Sequence, residues 1–223
     1  MQKKIRVKFK NPELLAQAFV HKSYLNEHKD ELSNDNERLE FLGDAVLELV
    51  TTEFLFEKFT ESEEGQLTSF RSALVKGRHL AEVSKKLGLG EYLLLSRGEE
   101  KSGGSEKDYL LANTLEALIG AIYLDKGFKA AHKFISRHII AKLGEIVKKG
   151  LHVDAKSHFQ EKAQDCEGMT PEYKVLSETG PDHNKIFEVG AYLGEALVGK
   201  GHGSSKQKAE QSAAEAALKA KAW

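Results

Sequence analysis

Four carboxylates stand at helical spacing in one short and otherwise apolar stretch, NERLEFLGDAVLELV from Asn36 to Val50: Glu37, Glu40, Asp44 and Glu48. At roughly 100° per residue, their steps of three, four and four confine them to an arc of about 80°. Leu39, Leu42, Ala45, Val46, Leu49 and Val50 cover the other faces, and Phe41 and Leu47 border the arc. This predicts an apolar helix with one narrow acidic seam, which is costly to pack against protein unless something positive neutralises it. A second stretch, ANTLEALIGAIY, puts Asn113 and Glu116 three apart on one face, with Gly120 on the same face and Leu115, Leu118, Ile119 and Ile122 elsewhere. Two nearly buried helices of this kind can face one another only with a cation between their seams, and Gly120 would let the backbones approach. The donors are hard oxygens without a cysteine set or a histidine cluster, which favours Mg²⁺ or Mn²⁺ over zinc. The competing reading is a solvent-facing stripe on each helix, or glutamates paired to arginine.

The elements that must hold these groups follow from pattern. The chain has 223 residues, 40% of them apolar and 30% charged, enough for one good core and a smaller module. A net charge of −1 names no partner. The single cysteine, Cys166, excludes an internal disulfide and a multi-cysteine zinc site, and reads as a small buried thiol. No run of eighteen apolar residues occurs and the first residues lead into no signal-type segment, so the expectation is a soluble cytoplasmic chain without membrane contact. Residues 1–147 read as all-helical. Asn11 and Pro12 look like a cap and first turn, and Asn34, Asp35 and Asn36 are cap candidates for the acidic-seam helix. Residues 148–153 read as a linker. From 154 to 223 a helix is followed by three β-like runs, EYKVLSETG, KIFEVGAYLG and EALVGKGHG, and then an Ala-rich helix. The fold class expected is therefore multi-domain: an all-α domain, then a small α+β module of α-β-β-β-α order with both helices on one face of an antiparallel sheet.

NERLEFLGDAVLELV closely resembles the signature helix of the ribonuclease III family, endonucleases of double-stranded RNA. The resemblance continues through AFVHKSY, EEGQLTSFRSALV, LGLGEYL, GEEKSGG and LEALIGAIYLD, and into a second module similar to a double-stranded RNA-binding domain, so it spans almost the whole chain. It implies a divalent-metal endoribonuclease that uses Mg²⁺, with Mn²⁺ able to substitute. Glu40, Asp44 and Glu116 would be metal ligands and the core of the catalytic site, with Asn113 as a fourth ligand position. Glu37 and Glu64 match family acidic positions near the cleavage site. The family acts as a homodimer, which places Phe41 and Leu42 at a two-fold interface, and leaves 5′-phosphate and 3′-hydroxyl ends with short 3′ overhangs. Its substrates would be precursors of ribosomal RNA and some messenger RNAs. Metal-activated water needs no covalent protein nucleophile, so His21, Ser23 and Tyr24 are assigned structural roles. One position departs from the family pattern: Asn113 stands where most members carry a carboxylate. A natural neutral ligand, an engineered change and a degenerate site are the three explanations, and the first is favoured because Glu37, Glu40, Asp44, Glu64 and Glu116 are all retained.

In the second module, GKGHGSSKQKAEQ places Lys200, Lys206 and Lys208 at a strand end and helix start, where lysine heads join a positive helix terminus as a phosphate clamp. The turn GPDHNK resembles the family loop that enters an RNA minor groove, which implies His183 as a 2′-hydroxyl reader. Gln160 and Glu161 on the first helix resemble the other minor-groove contact. Such domains recognise A-form shape rather than base sequence. The chain has Gln207 where family members often carry a basic residue. Two rivals remain: a duplex-RNA-binding protein whose cleavage site Asn113 disables or weakens, and a nucleotide phosphohydrolase, against which the groove-reading module argues.

Overall fold

The structure, a computed structural model, describes residues 1–28, 34–148, 155–181 and 185–223. It divides into two compact units, Met1–His152 and Val153–Trp223. Of the expected linker 148–153, only Lys148 lies within the described residues.

The first unit is built from helices α1 (Gln2–Ile5), α2 (Pro12–Gln17), α3 (Lys22–Glu27), α4 (Glu37–Lys58), α5 (Glu64–Val75), α6 (Gly77–Leu87), α7 (Arg97–Lys101), α8 (Asp108–Lys126), α9 (Phe128–His138) and α10 (Leu143–Lys148). Asn11 caps α2 by accepting the Glu13 N–H, with Pro12 in the first turn, as the sequence suggests. The α4 cap differs from the expectation for Asn36. Its side-chain amide donates to the Ala18 carbonyl at 3.3 Å, and Asp35 Oδ1 accepts the Glu37 N–H at 3.1 Å. The chain entering α4 is thereby tied to the segment that follows α2.

Helices α4 and α8 form the centre of the unit. Leu47, Leu115, Leu118, Ile119 and Ile122 are fully buried around them, each stabilising the fold by about 1.5–3 kcal/mol. The two backbones touch at Gly43 and Gly120. A Cβ on Gly43 would collide with the Glu116 carbonyl, and one on Gly120 with the Leu39 carbonyl. Between Leu110 and Ile122, α8 is buried at every position except Asn113 and Glu116. Helix α4 departs from the expected apolar cover. Its inner side, with Leu39, Val46, Leu47 and Val50, is buried, whereas Phe41 is 81%, Leu49 57% and Phe56 72% exposed. With exposed Ala45 they form an apolar stripe beside the carboxylates, facing away from the core of the unit. Leu42 is half-buried and packs on that core.

The second unit contains α11 (Ala155–Glu167), strands β1 (Glu172–Thr179), β2 (Ile186–Leu193) and β3 (Ala196–Gly203), and α12 (Lys206–Lys221). The strands form an antiparallel sheet in the order β1-β2-β3. Ala155, Phe159 and Ala163 of α11 and Ala209, Ala213 and Ala217 of α12 share one core with Val189 and Ala191 of β2. The alternating Gly199, Gly201 and Gly203 lie against the α12 backbone, where any Cβ would collide. The two-residue period of β3 then turns Lys200 and His202 away from α12, and both are exposed. Cys166 is exposed rather than buried, because it falls in the last turn of α11, past the buried stripe.

Candidate functional site

The Gly43–Gly120 contact sets the geometry of the site. Glu40 and Asp44 flank Gly43 on α4, while Asn113 and Glu116 precede Gly120 on α8. The Glu116 carboxyl is pushed up to about 7, first by burial, then by the charges of Asp44 and Glu40. Glu40 is also raised, chiefly by burial. Asn113 opposes that by donating an amide hydrogen bond to it, and Glu37 and Asp44 add repulsion. The structure thus brings Glu40, Asp44, Asn113 and Glu116 into one electrostatic group, with Glu37 at its rim.

The rest of the acidic seam is neutralised. Lys22 Nζ lies 3.2 and 3.3 Å from the two carboxylate oxygens of Glu37. Arg71 Nε lies 3.3 Å from Glu48. Glu64 opens α5 and is exposed, and it is not among the groups that perturb Glu40 or Glu116. Among the described residues, no lysine or arginine pairs with Glu40, Asp44 or Glu116. The reading of glutamates paired to arginine therefore applies to the far end of the seam, and its middle is left uncompensated.

The two backbones touch at this crossing, burial and the neighbouring carboxylates raise Glu116 to about 7, and the Asn113 amide offsets part of the same crowding at Glu40. Among the described residues, no three histidine, cysteine, aspartate or glutamate side chains stand close enough to hold a metal ion as they are. The donor chemistry nevertheless fits a hard divalent cation: three carboxylates and one amide oxygen around a close backbone contact, with no cation of the described residues competing. Gly43 is the member of the site that spacing alone misses. Its signal is a glycine inside a long helix, where it costs about 1 kcal/mol against alanine and so points to a close approach.

His21, Ser23 and Tyr24 have structural contacts. His21 Nδ1 caps α3, lying 2.8 Å from Ser23 Oγ. That hydroxyl in turn accepts the Ser96 N–H at 3.0 Å, and Tyr24 stacks on His28 at 4.1 Å between ring centroids.

In the second unit, Gln160 and Glu161 are exposed on α11 and line an open depression with Ser157, Gln164 and Asp165. Ser205 caps α12 by accepting the Lys208 N–H. Lys206 lies 3.4 Å from Glu178 and above the Phe187 ring. Lys208 Nζ reaches Ser204 Oγ at 3.1 Å, and Lys200 lies 3.8 Å from Glu188. Two of the three expected clamp lysines therefore have acidic neighbours on the sheet, which the linear sequence does not reveal. His183 lies outside the described residues.

The Ribonuclease-III-like family model matches residues 11–143, and the double-stranded RNA binding motif matches residues 155–221. The chain belongs to the ribonuclease III family. It is 46% identical to Ribonuclease 3 of Geobacillus kaustophilus over 218 residues, covering 98% of this chain and 88% of that protein. It is 44% identical to Ribonuclease 3 of Listeria innocua over 220 residues, covering 98% and 95%. Among solved structures, the nuclease domain of ribonuclease III from Campylobacter jejuni is similar at 43% identity and a TM-score of 0.58, covering 63% of this chain and 92% of that one. A further structure of that nuclease domain is described for flexibility in a region involved in dimer formation. The first unit is thus a ribonuclease III endonuclease of a divalent-metal-dependent family, and the second is its double-stranded RNA-binding module. Among the described residues, no helix is long and apolar enough to cross a membrane.

Proposed function

We propose that this ribonuclease III enzyme hydrolyses phosphodiester bonds of double-stranded RNA at the Gly43–Gly120 crossing, using Mg²⁺, with Mn²⁺ able to substitute. Glu40, Asp44, Glu116 and the Asn113 carbonyl oxygen are its ligands. The observation that carries the reading is the α8 surface: over thirteen residues only Asn113 and Glu116 escape burial, and they meet Glu40 and Asp44 where, among the described residues, no protein cation intervenes. When bound, the cation supplies charge stabilisation to the phosphate and makes an attacking water more acidic. Glu40, Asp44 and Glu116 hold the negative charge that attracts it, and the buried flank of α8 keeps those carboxylates in place. Asn113 orients Glu40 through its amide N–H, which leaves its carbonyl oxygen as a neutral donor. Glu37 and Glu64 are assigned to the rim of the cleavage site.

The products are 5′-phosphate and 3′-hydroxyl ends with short 3′ overhangs, and the substrates are cytoplasmic precursors of ribosomal RNA and some messenger RNAs. The catalytic unit spans 1–147 and the RNA-binding unit 154–223, joined by 148–153. Gln160, Glu161, His183, Lys200, Lys206 and Lys208 contact the duplex. The enzyme works as a homodimer whose interface is the stripe containing Phe41, with Leu42 at its inner margin. A phenylalanine 81% exposed beside the site supports that interface. A two-fold axis there sets two sites on one duplex.

The test is a metal titration of duplex cleavage by the wild type and Asn113→Asp. With one carboxylate fewer, the wild type needs more Mg²⁺ for half-maximal cleavage than the variant, and Mn²⁺ narrows the gap. Superimposable titrations would remove Asn113 from the ligand set. Cleavage by Asn113→Asp alone, at any metal concentration, would establish the rival reading of a duplex-binding protein with a disabled site.

A further inference from the structure

Away from the crossing, unpaired positive charge concentrates in one groove of the nuclease unit. Arg6 and Lys8, just after α1, form one lip. Lys126 at the end of α8 and Lys129, Lys133 and Arg137 of α9 form the other. The apolar part of the lining is buried Ile5 and Phe134 with partly buried Val7 and Ala130. The space between the lips is about 400 Å³.

Six cations in one groove of a chain whose net charge is −1 is a local imbalance. Among the described residues only Lys126 has an acidic partner, Asp125 at 3.6 Å. That carboxylate is already engaged by the backbone N–H groups of Lys10 and Asn11, at 2.8 Å each. Elsewhere on the unit several basic side chains are matched, among them Lys4 with Glu91, Lys22 with Glu37, Arg71 with Glu48, and Lys85 with Asp108. The groove's field reaches the neighbouring His138, whose imidazole is lowered by burial and then by Arg137 and Arg6. Arg6 itself sits in the left-handed region, at φ 56° and ψ 34°. Arg6 is the C-cap residue of α1, where this conformation is a common way for a helix to end.

The spacing suits a sugar-phosphate backbone. Lys129, Lys133 and Arg137 step by four residues, a rise of about 6 Å each, comparable with the separation of successive phosphates along an RNA strand. Lys126 lies ten residues after Glu116 on the same helix, about 15 Å along its axis, which a duplex lying at the cleavage site can reach.

We propose that this groove is a second phosphate-binding site, which grips the backbone of the duplex RNA beyond the bond being cut. The proposal rests on the reading that the chain binds double-stranded RNA. It adds a contact made by the nuclease unit itself, separate from the carboxylates of the crossing.

The test uses the full chain, a long fluorescein-labelled RNA duplex, and EDTA to prevent cleavage. Anisotropy titrations from low to physiological salt compare the wild type, Lys129→Ala/Lys133→Ala/Arg137→Ala, and the charge-conserving Lys129→Arg/Lys133→Arg. All are first matched for thermal melting, and the substituted side chains are exposed. The alanine variant is expected to bind the duplex more weakly, with a salt dependence shallower by about two to three units, near 0.9 for each phosphate no longer neutralised. The arginine variant should bind as the wild type does, and cleavage by the alanine variant at saturating RNA and Mg²⁺ should be unchanged. If the wild type binds the duplex and the alanine variant matches it in affinity and salt slope, the groove does not touch RNA. Binding of poly-glutamate that the alanine variant loses, with duplex binding intact, would assign the groove to an acidic protein partner and overturn the proposal. Failure of the wild type to bind the duplex would instead refute the underlying reading, and this proposal with it.

Discussion

Replacing Glu116 by glutamine should make the metal-free protein more stable, and only above acidic pH. Burial and the charges of Asp44 and Glu40 lift this carboxyl from 4.5 to about 7. At 1.36 kcal/mol per tenfold change in proton affinity, that displacement corresponds to roughly 3 kcal/mol. Glu116 is only half-buried, so solvent screening reduces the expected effect to about 1–2 kcal/mol. The sign follows from linkage. Below about 4.5 the carboxyl is protonated in folded and unfolded chains alike. Between 4.5 and 7 the unfolded chain ionises first, so the folded state loses stability as pH rises, and above 7 the loss is complete and constant. Glutamine is neutral throughout and lacks this fall. In EDTA, wild type and Glu116→Gln should therefore melt together near pH 4.5, with the variant about 2–8 °C higher near pH 8. Other ionisable groups are common to both proteins and cancel in the difference. Adding Mg²⁺ or Mn²⁺ should reverse the order, because the wild type gains stability by mass action and the variant gains less. Equal melting temperatures near pH 8 in EDTA, or an advantage of the variant that grows toward acid pH, would refute the proposed burial and charge crowding.

Gly43→Ala should cost about 1–3 kcal/mol in a denaturant titration, since its methyl would meet the Glu116 backbone and force α4 from α8. Its cleavage rate should fall further than its stability under assay conditions explains. Phe41→Glu should keep the fold, because the ring is 81% exposed, and should sediment as a monomer where the wild type sediments as a dimer. Lys206→Ala/Lys208→Ala should weaken duplex binding and make its salt dependence shallower by about one unit for each lysine removed from a phosphate. Loss of the exposed Lys206–Glu178 pair should cost at most about 1 kcal/mol of stability.

Much of this was legible in the sequence because the signals are local and periodic. The steps between Glu37, Glu40, Asp44 and Glu48 place them on one helical face without knowledge of what that face meets. Asn113 and Glu116 stand out because everything around them on α8 is apolar. What was not legible depends on partners distant in the chain. Lys22 and Arg71 claim the two ends of the acidic seam, and Glu178 and Glu188 meet Lys206 and Lys200. The exposure of Leu49 and Phe56 could not be read from composition, because an apolar face toward a partner and one toward the core have the same period. Arg6 and Lys8 lie more than a hundred residues from Lys129, and only the fold brings them to one groove.

The most direct test of metal-dependent cleavage at the α4–α8 crossing is digestion of an end-labelled RNA duplex in Mg²⁺ by the wild type and Glu116→Gln, with binding of the same duplex measured in EDTA. The variant is expected to bind the duplex as tightly as the wild type, to keep its fold, and not to cut. Cleavage by Glu116→Gln at the wild-type rate and metal dependence would contradict the assignment of Glu116 to the reaction.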